Sequence, residues 1–216
     1  MFYIAFGGGS GSGKSSILHS MAEMRPRAKI SILPMDAYYK DHNYLSLQEK
    51  KVCNFDDPQA IDFDLFFNHI ELLRNGNPVY KPVYSFVTCS RLKETEVVYP
   101  SDFLFIEGLF ALINERIRKI VDFSVFLDCP LEVRRKRVVQ RDMTERNRNR
   151  EETELRFKRM VEPMHKLYVE PTRKHANLVV DTSLHDISSL ASTIWNAIDM
   201  RINKPDELVH VPVSRK

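Results

Sequence analysis

Residues 7–16 read Gly7-Gly8-Gly9-Ser10-Gly11-Ser12-Gly13-Lys14-Ser15-Ser16 and follow directly on the apolar run Phe2–Phe6. Gly8–Ser15 fits the spacing G-x4-G-K-[ST], set between a strand-like run and the helical pattern Ser15–Met24. Glycines at these positions let successive backbone N–H groups turn inward around an anion, where side chains would block the approach. The N-terminus of the following helix adds its dipole. A lysine at position 14 reaches β and γ phosphates, and a hydroxyl at position 15 is placed to ligate Mg²⁺. A plain Gly/Ser turn is the competing reading, but the strand before and the helix after argue against it. Gly8, Gly9, Ser10, Gly11, Ser12, Gly13, Lys14, Ser15 and Ser16 are therefore read as a nucleoside triphosphate cradle, for ATP or GTP.

Outward from this stretch, short apolar runs alternate with helical patterns. Expected strands are Phe2–Phe6, Lys29–Leu33, Phe103–Ile106, Phe123–Leu127 and Leu178–Val180. Each is mostly apolar rather than alternating, as strands covered on both faces of a parallel sheet must be. Expected helices are Ser15–Met24, Phe63–Arg74, Leu131–Arg141, Thr153–Tyr168 and Ile187–Met200. The alternation predicts an α/β sandwich, one domain over residues 1–202 with a peripheral tail at 203–216. Val79–Tyr99 breaks the pattern: two β-rich arms around a polar middle read as a hairpin flap outside the main sheet. Asp36–Val52 and Asn147–Glu152 are polar and irregular, and a lid is expected over about residues 141–152.

The chain has 216 residues, 43% of them hydrophobic, enough for one sizeable core. A net charge of +3 is too mild to announce a nucleic-acid or membrane partner. It is unevenly placed: Glu132–Arg159 holds 11 Lys/Arg against 6 Asp/Glu. The three cysteines Cys53, Cys89 and Cys129 lack any metal-ligand spacing and read as free thiols in a reducing compartment. The N-terminus shows no secretory pattern, and the longest apolar stretch, Phe103–Ile113, is interrupted by Glu107. A cytoplasmic protein is expected.

Asp36 stands just past the second expected strand, and ligands gather at the carboxyl ends of parallel strands. A carboxylate there can take the proton of an attacking hydroxyl. Glu107 ends "FLFIE", where a buried acid needs a metal or cation to justify it. Arg134, Arg137 and Arg141 recur at i, i+3, i+7 on one helical face, and Arg146 and Arg148 follow in a loop. Cations around a migrating phosphoryl group supply much of the catalysis in its transfer, and these arginines suit that task. Arg135 and Lys136 read as plain surface.

In order along the chain, "GGSGSGKSS", "MDAYYKD", "NFDDPQAIDFDL", "PVYSFVTCSRL", "FIEGLF" and "FLDCPLEVRRKRVVQRDMTERNR" resemble the uridine kinase (uridine–cytidine kinase) family of P-loop kinases. The resemblance implies a three-layer sandwich with a five-stranded parallel sheet and a β-hairpin flap. It also implies homotetramers, and ATP- and Mg²⁺-dependent phosphorylation of a ribose 5′-hydroxyl. By position, Asp36 matches the family's general base and Tyr39 lies beside the nucleoside. Phe55 and Asp56 flank the sugar, with Asp56 accepting from ribose hydroxyls, while Tyr84 and Phe86 touch the pyrimidine. Ser15 and Glu107 match the magnesium shell, Arg141 and Arg146 the phosphate-facing arginines, and Arg148 an arginine directed at the base. Three contacts depart from the pattern. Cys89 replaces a histidine at the pyrimidine edge, Val138 an arginine that helps hold the sugar, and Arg156 a glutamine contact.

The reaction type is thus more firmly indicated than the acceptor. A kinase of a different nucleoside or of a phosphorylated sugar is the nearest alternative, since Arg156 would suit a more anionic acceptor. A nucleotide-binding regulator without turnover fits less well, because Asp36, Lys14 and Glu107 are all present. A nucleic-acid role for Glu132–Arg159 is weaker still.

Overall fold

The structure is a computed structural model that describes residues 1–204 and 211–212. The expected strands form, each longer at its carboxyl end by one residue: β1 (Phe2–Gly7), β2 (Ile30–Pro34), β5 (Phe103–Glu107), β6 (Phe123–Asp128) and β7 (Leu178–Asp181). They pair in parallel in the order β2-β5-β1-β6-β7. A sixth, two-residue strand that the sequence did not suggest, β8 (Val211–Pro212), adds to β7 in parallel. It falls in the expected tail at 203–216, the rest of which, beyond residue 204, lies outside the described residues.

Alternate side chains of the central strands feed two cores. Ile4, Phe6, Phe105, Val125 and Leu127 face α1 (Lys14–Met24) and α8 (Ile187–Asn203), which present Ile17, Leu18, Met21, Ile194 and Trp195. The indole N–H of Trp195 donates to the Met21 carbonyl at 2.9 Å, tying the two helices together. Ala5, Leu33, Leu104, Ile106 and Phe126 face the opposite layer, with Phe66 and Ile70 of α3 (Phe63–Arg74). Burying a large apolar side chain contributes about 1.5–3 kcal/mol, so these layers fix the sheet and hence its carboxyl edge. At that edge Glu107 is in register with both Phe6 and Pro34, which brings the ends of β1, β2 and β5 to one line.

The flap is an antiparallel hairpin outside the main sheet, β3 (Val79–Ser85) with β4 (Ser90–Val98). Its register shifts between Pro82 and Tyr84, where Pro82 has no N–H for the ladder. Arg91, beside the turn that joins the two strands, ties the flap down by donating to the carbonyls of Tyr39 at 2.7 Å and Tyr38 at 3.2 Å and to Asp62 at 3.1 Å.

The segments expected to be irregular are more ordered. Asp36–Val52 contains a 3-10 turn at Met35–Tyr38 and a short helix, α2 (Leu47–Val52). A reciprocal capping box between Ser46 and Glu49 starts α2. A further short helix, α4 (Glu115–Ile120), is capped by Asn114. α5 (Leu131–Glu145) runs past Arg141, and α6 (Arg150–Arg156) begins within the expected lid, so only residues 146–149 link them. From α6 the chain stays helical through π turns at Phe157–Val161 and His165–Val169, around the single turn α7 (Glu162–Met164). Pro163 within it cannot donate to a preceding carbonyl, and the ladder widens beside it.

Candidate active site

The cradle forms between β1 and α1. Gly8, Gly11 and Gly13 hold φ of 147°, 78° and 87°, backbone that L side chains rarely adopt. A Cβ on Gly11 would lie 2.6 Å from the Arg134 carbonyl oxygen, so space forbids it as well. Lys14 Nζ donates to the carbonyls of Gly8 at 2.9 Å and Gly9 at 3.1 Å, which folds the lysine over the loop. Burial lowers the Lys14 pKa, while Glu107 and Asp36 pull it back up.

Glu107 and Asp36 stand across from the cradle. The Ser15 hydroxyl donates to Glu107 Oε1 at 3.4 Å, and Glu107 Oε2 is buried with no partner among the described residues. Burial raises the Glu107 pKa, against the pull of Lys14. An orphaned carboxylate oxygen with the Ser15 hydroxyl beside the same carboxylate fits a hard cation. Mg²⁺ is such a cation, since it uses one or two carboxylates and takes its other ligands from phosphate and water.

A cleft of about 370 Å³ runs along the cradle, bordered by Lys14, Ser15, Glu107, Asp36, Arg137 and Arg141. A second, tighter pocket of about 30 Å³ opens beside it, under the flap. Ser10, Asp36, Leu109 and Arg141 border both, so Asp36 stands in the shared wall. The 3-10 turn that follows β2 places it there.

The expected row of phosphate-facing arginines splits. Arg141 reaches the cleft, but Arg134 is turned inward, 3% exposed, and donates to Glu162 at 2.8 Å and to the Cys129 carbonyl at 3.2 Å. Arg137 borders the cleft while bonding the carbonyls of Gly11 at 3.3 Å and Thr182 at 3.1 Å. Arg135 is surface, as expected, paired with Glu132. Sequence reasoning missed Asp142. Fully buried, it receives Arg141 at 2.8 Å and Arg148 at 3.0 Å, and Arg146 lies 3.5 Å away. Burial works against its ionisation, but Arg141, Arg146 and Arg148 outweigh that and hold its carboxyl below the usual range. Arg146 also lies over the Phe86 ring, 3.8 Å from its centroid, and burial beside Arg141 brings its pKa down to about 10.

The tight pocket gathers the residues expected to meet an acceptor. Tyr39 packs on Phe55 and Tyr84 with ring centroids 5.5 and 5.1 Å apart, and Tyr84 on Phe86 at 5.4 Å. Asp56, Cys89, Arg146, Arg148 and Arg156 complete the lining. The Tyr84 hydroxyl is buried without a partner among the described residues. Arg156 donates to Asp56 Oδ2 at 2.7 Å, a contact across 100 residues of sequence. Val138 does not border this pocket. It packs in a small core with Phe157 and Val161, and its methyl lies 3.0 Å from where a Gly11 Cβ would stand.

The chain is 36% identical over 177 residues to uridine kinase of Staphylococcus epidermidis, covering 82% of this chain and 86% of that protein. It is 35% identical over 181 residues to uridine kinase of an Enterobacter species, covering 82% and 85%. Among solved structures, phosphoribulokinase from Rhodobacter spheroides shares the fold, with a TM-score of 0.58 and 15% identity over 87% of this chain and 73% of that one. The family model described as "Phosphoribulokinase / Uridine kinase family" matches residues 3–187, and the chain belongs to that family.

Proposed function

We propose that the protein is an ATP-dependent kinase that phosphorylates the 5′-hydroxyl of a pyrimidine nucleoside, converting uridine or cytidine to the monophosphate. The observation that carries this is Asp36 in the wall common to the phosphate cleft and the aromatic pocket. A hydroxyl held in the pocket gives its proton to the Asp36 carboxylate as its oxygen attacks the γ-phosphorus. The bond to the β–γ bridging oxygen breaks, and ADP leaves. Lys14 and Arg141 face the charge that spreads over the phosphates. Ser15 and Glu107 would hold Mg²⁺, which when bound offsets phosphate charge. Tyr39, Tyr84 and Phe86 give the pocket an aromatic lining suited to a flat base.

The relatives named uridine kinase support this acceptor over a phosphorylated sugar or a regulator without turnover. The test is ADP release with Mg·ATP or Mg·GTP across uridine, cytidine, purine nucleosides, ribulose 5-phosphate and glycerate. Turnover with uridine or cytidine above all other acceptors is expected. Preference for a phosphorylated sugar would transfer the assignment to that acceptor, and no ADP with any alcohol would leave a nucleotide-binding regulator.

A further inference from the structure

Arg134 borders neither the phosphate cleft nor the acceptor pocket, yet it is packed against the cradle at two places. A Cβ on Gly11 would meet its carbonyl oxygen at 2.6 Å, and a Cβ on Gly9 would stand 2.9 Å from its Nη1 and 2.8 Å from His165 Nδ1. Only a glycine lets the loop lie so close on these two side chains. Two bonds pin the guanidinium there: Nε donates to the Cys129 carbonyl at 3.2 Å and Nη2 to Glu162 Oε2 at 2.8 Å. Nη1, the nitrogen against Gly9, is buried without a partner among the described residues, and so is His165 Nδ1.

The charges around this guanidinium do not balance locally. Among the described residues Glu162 is the one carboxylate in ion-pair contact with Arg134, and its other oxygen lies 3.6 Å from Lys166. On the far side stands His165, whose pKa is brought down to about 3 by burial and by the charges of Arg134, Lys14 and Lys166. The ring is therefore neutral at pH 7 and adds no counter-charge, while a neutral ring nitrogen offers Nη1 an acceptor. The surplus is felt inside the cradle. Burial is the main cause of the lowered Lys14 pKa, and the Arg134 charge adds to it. A field that disfavours the Lys14 cation favours the phosphates that gather at the same place.

We infer that Arg134 is a positioning residue for the nucleotide: it props Gly9 from behind and lends the cradle a positive charge, and Glu162 sets how much of that charge the triphosphate feels. The inference rests on the nucleotide half of the reading above and holds whichever alcohol is the acceptor. An ion pair kept for stability alone behaves differently, since losing either member loosens the fold and weakens binding. Here the two members act on nucleotide affinity with opposite signs.

The experiment measures Mg·ATP and Mg·ADP affinity by calorimetry, with melting temperature alongside, in wild type, Glu162→Gln, Arg134→Lys and the double variant Arg134→Met with Glu162→Gln. Glu162→Gln releases the Arg134 charge and should bind ATP about twofold to tenfold more tightly, even as its melting temperature falls. The double variant removes the charge without leaving a buried acid unpaired, and should bind ATP about tenfold more weakly. ADP carries less charge and should lose less. Arg134→Lys keeps the charge but not the fork, and should stay closer to wild type than the double variant does. Unchanged or weaker ATP binding in Glu162→Gln overturns the inference, as does wild-type ATP affinity in the double variant or an equal loss for ATP and ADP. If the double variant melts below the assay temperature, Glu162→Gln decides by itself. A wild type without ATP affinity would fail the nucleotide reading and the inference with it, whereas normal wild-type binding with the variants in the wrong order fails the inference alone.

Discussion

The Ser15 hydroxyl stands 3.4 Å from Glu107 Oε1 across the mouth of the cradle, and the other Glu107 oxygen is buried without a partner among the described residues. The arrangement trades stability for a cation site. Burial raises the Glu107 pKa, so the folded chain holds that proton more tightly than the unfolded one. Stability is then lost as pH climbs from the ordinary glutamate value, about 4.3, through the raised folded value. Glu107→Gln should melt above wild type at neutral pH, with the gap closing toward pH 4, while Mg·ATP turnover falls about hundredfold or more. Scanning fluorimetry at the two pH values checks the first half. A variant that melts at or below wild type at pH 7 and keeps its Mg²⁺ dependence would refute both.

Asp36→Asn should keep ATP affinity and lose most turnover. A positioned base is worth about 10²–10⁴-fold, and the amide cannot take the proton. A residual kcat above about a tenth of wild type would remove the base assignment from Asp36.

Lys14 caps the cradle by bonding the Gly8 and Gly9 carbonyls, and a triphosphate offers it a stronger, charged partner. Lys14→Ala should abolish ATP binding or turnover. Calorimetry that shows wild-type affinity, joined to wild-type kcat, would sink the cradle reading.

Asp142 binds Arg141 of α5 together with Arg146 and Arg148 of the link to α6. Removing its charge leaves three cations crowded together, and breaking a buried pair in this way costs about 3–5 kcal/mol. Its pKa lies below the ordinary aspartate value, about 3.9, so its contribution is complete above that value and is lost as pH falls through the folded one. Asp142→Asn should therefore lower the melting temperature most at neutral pH, and raise KM for ATP by displacing Arg141. Equal melting temperatures at pH 7 would show that the cluster is not structural.

The features that announced themselves in the sequence are those with a local cause. The strands were legible because each is a mostly apolar run, and Gly8–Ser15 because the phosphate geometry demands that spacing. What escaped was made by contacts distant in sequence or by a choice of helix face. Arg134 and Arg141 look equivalent on a helical wheel, yet Glu162 draws one inward and the cleft takes the other. Asp142 reads as an ordinary helix acid until three arginines close on it. Position 138 was expected at the acceptor only from the family resemblance. As a valine it is free to bury against Phe157 and Val161, and it does. Arg156 could be read as an altered contact, but its partner could not, since 100 residues separate the two.

Cys89 carries the remaining substitution at the pocket. It sits in the hairpin turn at φ 50°, 4% exposed, and its thiol is directed to the Phe86 carbonyl at 3.6 Å. A thiol is a weak donor and a weak acceptor, and this one is already turned toward backbone. The edge of a pyrimidine under the flap, a carbonyl in uridine and an amine in cytidine, thus gains little from it. Histidine supplies a donor or an acceptor according to its tautomer, and it is among the residues that tolerate a left-handed φ better than most. A good neutral hydrogen bond is worth about 0.5–1.5 kcal/mol, up to about tenfold in binding. Wild type should therefore use uridine and cytidine weakly, and Cys89→His should raise kcat/KM for at least one of them by up to about tenfold while KM for ATP stays put. If the variant leaves both pyrimidines unchanged or poorer while another acceptor is turned over well, the base under the flap is not a pyrimidine, and only the phosphotransfer chemistry of Lys14, Asp36 and Glu107 stands.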